Sequence, residues 1–334
     1  MTNPQPLLGE APPDLSQIQV PVQERLDRVL EEIRRIVVSD FHMLEEVNEY
    51  LLLMRGKLFR PTLVLLVDGL TDGPREEAVS LGAVVELIHL ATLVHDDAVD
   101  HSVLRRGLPT VNSLWTHQVA IIMGDYLYSR SVMELARLGD MEAVRALARA
   151  SNAMSQGEMR QLTSHDALDF SEEDYYQLIA CKTASLMQAA CELGALPGGD
   201  EYRDRMARFG HHLGMAFQIA DDLLDYTGSE AVTGKPTGHD LRERKVTLPL
   251  VGALANGPVE LREHIKRFFT RVEATDAEIE EVVNRVREAG GLEYARAKAE
   301  EYAGRARELL EGLEEGPYLE GLRGAVEYAV ERSR

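Results

Sequence analysis

The stretch Leu87-Ile88-His89-Leu90-Ala91-Thr92-Leu93-Val94-His95-Asp96-Asp97-Ala98-Val99-Asp100 decides how this chain is read. Its apolar residues recur with a helical period, and three carboxylates close it. The pattern returns at Met215-Ala216-Phe217-Gln218-Ile219-Ala220-Asp221-Asp222-Leu223-Leu224-Asp225. On a helix, positions i and i+4 lie about 40° apart, so Asp96 and Asp100 share a face, as do Asp221 and Asp225. Burying carboxylates in so apolar a setting is costly without cations. Two such faces opposed across a cavity would hold hard divalent cations through oxygen. Mg2+ fits best, because it keeps waters and takes a few carboxylates together with substrate phosphates. The first expectation is a polyphosphate substrate gripped through metal.

Outward from these stretches the helical period continues almost everywhere. It runs through Val22–Met54, Glu77–Asp97, Val111–Leu138, Met141–Gln161, Glu172–Leu193, Tyr202–Tyr226, Val259–Val272, Ala277–Ala289 and Leu292–Leu313. No alternating segment with hairpin chemistry stands out. Thr71-Asp72-Gly73-Pro74, Pro197-Gly198-Gly199-Asp200 and Asn256-Gly257-Pro258 read as short interhelical loops. The expected architecture is all-α: a single large bundle of roughly ten to twelve helices around a central cavity. Residues 1–15, Pro-rich at the start, are expected to form a disordered arm, and 16–334 one domain.

Composition narrows the function. Of 334 residues 45% are hydrophobic and 28% charged, as in an ordinary globular protein, and the net charge is −20. That balance argues against non-specific nucleic-acid binding and against a basic membrane-surface patch. The longest unbroken apolar run, Leu63–Val67, falls far short of a membrane span, and no secretory signal pattern opens the chain. Cys181 and Cys191 lie on one helical segment, too far apart to pair along it. A cytoplasmic, reduced protein without a transmembrane segment is expected.

The cations that matter must then be local. Arg105-Arg106-Gly107 follows the first pentapeptide, and Gly234-Lys235-Pro236 follows the second. A cationic segment just past each carboxylate set suits closure over a metal-bound anion. Gly56-Lys57-Leu58-Phe59-Arg60-Pro61 places two cations within one turn, either as a second anion site or as a helix-capping junction. Lys182-Thr183 sits in an apolar helix, where the lysine must snorkel outward or meet an anion. Glu86 and His89 have the Glu-x-x-His spacing of di-iron bundles, but no second copy exists.

Together these residues resemble the trans-isoprenyl diphosphate synthases, the head-to-tail prenyltransferases. The matching stretches are Gly56-Lys57-x-x-Arg60-Pro61, His89, and His95-Asp96-Asp97-x-x-Asp100 with Arg105-Arg106-Gly107-x-Pro109-Thr110. Gly124-Asp125-Tyr126-Leu127, Lys182-Thr183 and Phe217-Gln218-x-x-Asp221-Asp222-x-x-Asp225 follow. Gly234-Lys235-x-x-Gly238-x-Asp240 then leads to Lys245-x-Thr247-x-Pro249. All occur in the family's order across about residues 50 to 250, and no motif is broken.

The resemblance implies that an allylic diphosphate is ionised and its cation attacked by isopentenyl diphosphate. It assigns Asp96 and Asp100 to two Mg2+ and Asp221 to a third, with Mn2+ a substitute. Asp97, Asp222 and Asp225 become partners of the same metal set, held at second remove or through water. Arg105, Lys182 and Lys235 would contact the allylic diphosphate, with Thr183, Gln218 and Lys245 beside it. Lys57, Arg60, His89 and Arg106 would form the metal-free isopentenyl site. A homodimer is also implied. The growing chain would pass Ala91 and Thr92, whose small size favours a long product, hexaprenyl to octaprenyl, for quinone side chains. The alternatives are a farnesyl or geranylgeranyl synthase, a class I terpene cyclase, or a non-catalytic prenyltransferase subunit.

Overall fold

The computed structural model describes residues 14–54, 56–71, 73–163, 169–227, 237–271 and 274–331. It is all-α. In chain order the helices are α1 (Leu15–Gln19), α2 (Gln23–Ile36), α3 (His42–Leu53), α4 (Phe59–Gly69) and α5 (Glu76–Val99). Next come α6 (Val111–Leu114), α7 (His117–Leu138), α8 (Met141–Thr163), α9 (Glu172–Ile179), α10 (Ser185–Gly194) and α11 (Gly199–Thr227). The last are α12 (His239–Arg242), α13 (Leu248–Asn256), α14 (Val259–Phe269), α15 (Asp276–Glu288), α16 (Gly291–Glu308) and α17 (Pro317–Glu331). The described helices outnumber the expected ten to twelve, because periodic stretches split. Val22–Met54, for instance, breaks at Val37–Phe41 into α2 and α3.

Helix α5 is the core. It is apolar on all sides, and Ala78 to Val85 form an unbroken buried run. By length and hydropathy it alone among the described helices is apolar enough to cross a membrane, yet 67% of that window is buried inside the protein. It is packed by α2, α4 and α7. On the other side α11 packs on α10 and α16, and α10 bridges to α4. Leu15 and Ile18 of α1 are buried, so the packed body already includes Leu15, which the sequence assigned to the arm.

Two departures from regular helix shape the site. Ala180–Ala184, between α9 and α10, is a π-helical turn, and it carries Lys182 and Thr183. A Cβ on Gly157 of α8 would lie 2.9 Å from Cys181 Cβ and 3.1 Å from the Lys182 nitrogen. One on Gly214 of α11 would lie 2.6 Å from Ala184 Cα. Glycine thus lets α8 and α11 press on the π turn from both sides.

Sequence reading also missed a small hairpin. Leu104–Arg105 (β1) pairs antiparallel with Leu108–Pro109 (β2), Arg105 opposite Leu108. Arg106 (φ 52) and Gly107 (φ 76) form its two-residue turn, both left-handed as a type I′ turn demands.

Candidate active site

Both aspartate sets lie at the C-terminal ends of long helices, α5 and α11, and neither helix has a basic residue in its last turn. That end carries the negative pole of the helix dipole, where cations are normally favoured. Six carboxylates there leave an excess of negative charge that nearby donors and cations must offset.

The side chains divide into two kinds. Asp97 is buried and accepts from Arg105 Nε at 2.7 Å. Asp222 is buried and accepts from the Tyr175 hydroxyl at 2.6 Å and from Gln218 Nε2 at 2.7 Å. Gln218 in turn accepts from the Thr183 hydroxyl at 2.7 Å. Asp225 receives the backbone N–H groups of His239 and Asp240, both at 3.1 Å, and so caps α12. These three carboxylates anchor the scaffold. Asp96 is half-buried, while Asp100 and Asp221 are exposed. Burial pushes the Asp96 carboxyl up to about 6, with Glu158 and Asp100 adding to the rise against Lys182 and Arg105.

Three cations among the described residues face this region. Arg105 uses its Nε edge on Asp97. Lys182 Nζ lies 3.8 Å from Asp96 Oδ2 and 2.6 Å from Glu158 Oε2. Lys245 donates to Glu243 at 2.5 Å. Burial pulls its pKa down, but Glu243, Asp240 and Asp100 outweigh that and raise it. Lys235, the other cation expected here from the sequence, lies outside the described residues. Asp240 is itself pushed up to about 6, by burial and then by the charge of Asp225.

A second cationic group lies on the other side of the hairpin. Arg106 Nη1 donates to the Met54 carbonyl at 3.0 Å. A Cβ on Gly56 would lie 3.2 Å from both Arg106 Nη atoms and 3.3 Å from Glu86 Oε1. Arg60 Nε is buried with no hydrogen-bond partner among the described residues, a costly state for a guanidinium N–H. Burial lowers the Arg60 pKa. Burial and the neighbouring Arg60 and Arg106 hold the His89 imidazole well below its usual range, and thus neutral. Gly56, Glu86, His89 and Arg106 close the polar end of a leucine-walled cavity of about 30 Å³, room for little more than a water. Lys57 Nζ is 3.4 Å from the Tyr328 hydroxyl on α17. Phe59 stacks between Phe217 and Tyr328, with centroids 5.6 and 5.5 Å away.

All four non-glycine residues with positive φ among the described residues fall in these motifs or beside them: Leu58, His101, Arg106 and Arg244. Such strain persists where surrounding contacts hold it, often at functional sites.

The sequence matches the polyprenyl synthetase family model over residues 41–286. It is 37% identical over 296 residues to heptaprenyl diphosphate synthase component 2 of Geobacillus stearothermophilus, covering 87% of this chain and 91% of the other. The chain belongs to the polyprenyl synthetase family. An all-trans-nonaprenyl-diphosphate synthase of Rhodobacter capsulatus is 36% identical over 317 residues, covering 94% and 97%. The polyprenyl synthase of Caulobacter crescentus, solved with calcium and isoprenyl diphosphate, superposes with TM-score 0.90 at 33% identity, covering 98% and 99%. This polyprenyl synthetase is accordingly a prenyltransferase and a trans-polyprenyl diphosphate synthase, as its motifs implied.

For this synthetase, sequence reading named the aspartates and the cations as candidates. It missed Glu158, Gln161, Tyr175 and Tyr328, the partners that hold them. An unpaired lysine at 182 was the available signal for an acidic neighbour. Among the described residues no three carboxylate, histidine or cysteine side chains converge as a preformed metal cage. Outward aspartates on two separate helices instead suit a cation whose remaining oxygens come from water and phosphate.

Proposed function

We propose that the region between the ends of α5 and α11 binds an allylic diphosphate together with Mg2+, and that isopentenyl diphosphate binds beyond the hairpin. The reading is carried by segregation of charge. Outward carboxylates gather at two helix C-termini, while Arg60, whose Nε has no hydrogen-bond partner among the described residues, lies beside Arg106 and Glu86.

Asp96, Asp100 and Asp221 would hold the metal set expected from the resemblance, three Mg2+ with Mn2+ as substitute. Bound Mg2+ supplies Lewis-acid charge that neutralises the departing diphosphate. Lys182, Arg105, Lys235 and Lys245 add fixed positive charge to the same leaving group. The Thr183 and Gln218 oxygens are held by hydrogen bonds close enough to face the developing allylic cation. Lys57, Arg60 and Arg106 orient isopentenyl diphosphate, and neutral His89 donates to it without adding charge. Condensation lengthens the chain by one five-carbon unit.

Thr92 lies about 40° around α5 from Asp96, on the same face of the helix. Ala91 shares the face of His95, which packs on α7 with Nε2 3.0 Å from the Ile121 carbonyl. A tail running between α5 and α7 beneath Ala91 fits a long product, hexaprenyl to octaprenyl, and the two relatives above carry heptaprenyl and nonaprenyl names. Quinone side chains and a cytoplasmic location complete this reading.

The exposed Ile121, Ile122, Tyr128, Val132 and Met133 form an apolar face along α7, which favours a homodimer. A relative named as a component of a synthase gives the second reading, that this face meets a different subunit.

The test is chromatography of products from isopentenyl diphosphate, Mg2+ and primers of increasing length. Polyprenyl diphosphates longer than twenty carbons are expected. Hydrocarbon from an allylic diphosphate alone would replace the reading with a cyclase. Ala91→Phe should shorten the product, and an unchanged length would remove the tunnel assignment.

A further inference from the structure

Lys182 carries three N–H donors, and α8 takes two of them. Glu158 Oε2 lies 2.6 Å from Nζ and Gln161 Oε1 lies 3.0 Å away. The third N–H is left on the side of Asp96, whose Oδ2 at 3.8 Å is beyond hydrogen-bond reach. That N–H is the one a phosphoryl oxygen beside Asp96 could accept from. Glu158 Oε1, its other oxygen, is buried and has no hydrogen-bond partner among the described residues. Helix α8 is fixed against the π turn by the backbone contact at Gly157, so the pair is a built feature and not a chance surface contact. Neither Glu158 nor Gln161 belongs to an aspartate pentapeptide.

We infer that Glu158 is a positioning residue that cancels the Lys182 charge in the metal-free cavity, so that a diphosphate is accepted only together with its divalent cations. The inference rests on reading the cavity as a metal–diphosphate site. A diphosphate entering alone meets outward aspartates and a lysine already paired, and like charges exclude it. With divalent cations present the aspartates are neutralised, and the free N–H of Lys182 points at the ligand. Gln161 contributes position without charge, so the two neighbours of Lys182 have separable roles.

The test is calorimetric titration of the full-length protein with inorganic diphosphate, in EDTA and in Mg2+. Glu158→Gln should bind metal-free diphosphate about five-fold or more tighter than wild type, the effect of uncovering one partly buried cation. Its Mg2+ half-saturation should rise about three-fold as negative charge leaves the cavity. Turnover should fall about ten-fold while the KM for isopentenyl diphosphate stays within about two-fold, because that site lies elsewhere. Gln161→Leu should slow turnover without gain in metal-free affinity. Glu158→Met provides a second charge-removing variant should Glu158→Gln misfold, with circular dichroism as the check. Metal-free affinity in the folded variants equal to or weaker than wild type overturns the inference, as does an equal gain in Gln161→Leu. Wild-type protein that fails to bind diphosphate even with Mg2+ overturns the functional reading and this inference together. Wild type that binds and turns over, beside variants showing no gain, overturns the inference alone.

Discussion

The roles proposed for Asp96 and Arg60 oppose stability, and both oppositions can be measured. The Asp96 carboxyl, pushed up to about 6, binds its proton more readily folded than unfolded. Its ionisation therefore lowers stability as pH rises from about 4 through about 6, and that cost is absent below the unfolded value. In EDTA, Asp96→Asn should be more stable than wild type at pH 7.5 by on the order of 2 kcal/mol. Denaturant titrations should show the gap closing toward pH 4. The same variant, like Asp221→Ala, should lose most turnover, about a hundred-fold or more. Arg60 is a half-buried cation whose Nε is buried and has no hydrogen-bond partner among the described residues. Arg60→Leu should raise the KM for isopentenyl diphosphate about ten- to a hundred-fold while leaving the melting temperature equal or higher. A lower melting temperature would show instead that Arg60 is structural. These residue types were legible from spacing alone. Which aspartates turn outward was not, because Asp97, Asp222 and Asp225 are claimed by Arg105, Tyr175 and the α12 backbone, all set by folding.

At the scale of elements, helix ends and the π turn do the positioning. Helices α5 and α11 were readable over most of their lengths because both are long stretches rich in apolar residues and unbroken by a loop signal. The π turn was not, since Ala180-Cys181-Lys182-Thr183-Ala184 has ordinary helical composition. It exists because α8 and α11 crowd it through Gly157 and Gly214. A methyl group on Gly214 would meet Ala184 Cα at 2.6 Å, and backbone cannot step aside as a flexible side chain can. Gly214→Ala should therefore cost about 1–3 kcal/mol in a denaturant titration. It should also lower turnover more than any stability-matched core variant, because Lys182 and Thr183 shift with the turn. Equal turnover in Gly214→Ala and a matched variant would separate the turn from the chemistry. The hairpin was missed for a related reason. Its strands are two residues each, and Arg106-Gly107 is not among the usual turn pairs.

For the whole molecule, the apolar face of α7 is the feature that the isolated chain leaves uncovered. Ile122 and Met133 are each 61% exposed, a state unusual for a helix flanked on its other side by the core. Ile122→Glu with Val132→Glu should halve the mass seen by light scattering, with little loss of secondary structure. A wild-type monomer in the same measurement would instead favour the reading in which a different subunit covers this face. Sequence alone determined the helical class, the two carboxylate sets, the cation motifs and the family. These are local patterns, in which side-chain period and residue type suffice. Tertiary structure decided which carboxylates face outward, which acidic partner meets Lys182, and how Tyr328 reaches Lys57 from the far end of the chain. Those outcomes depend on residues remote in sequence competing for the same hydrogen-bond donors and the same volume, and no local pattern encodes the winner.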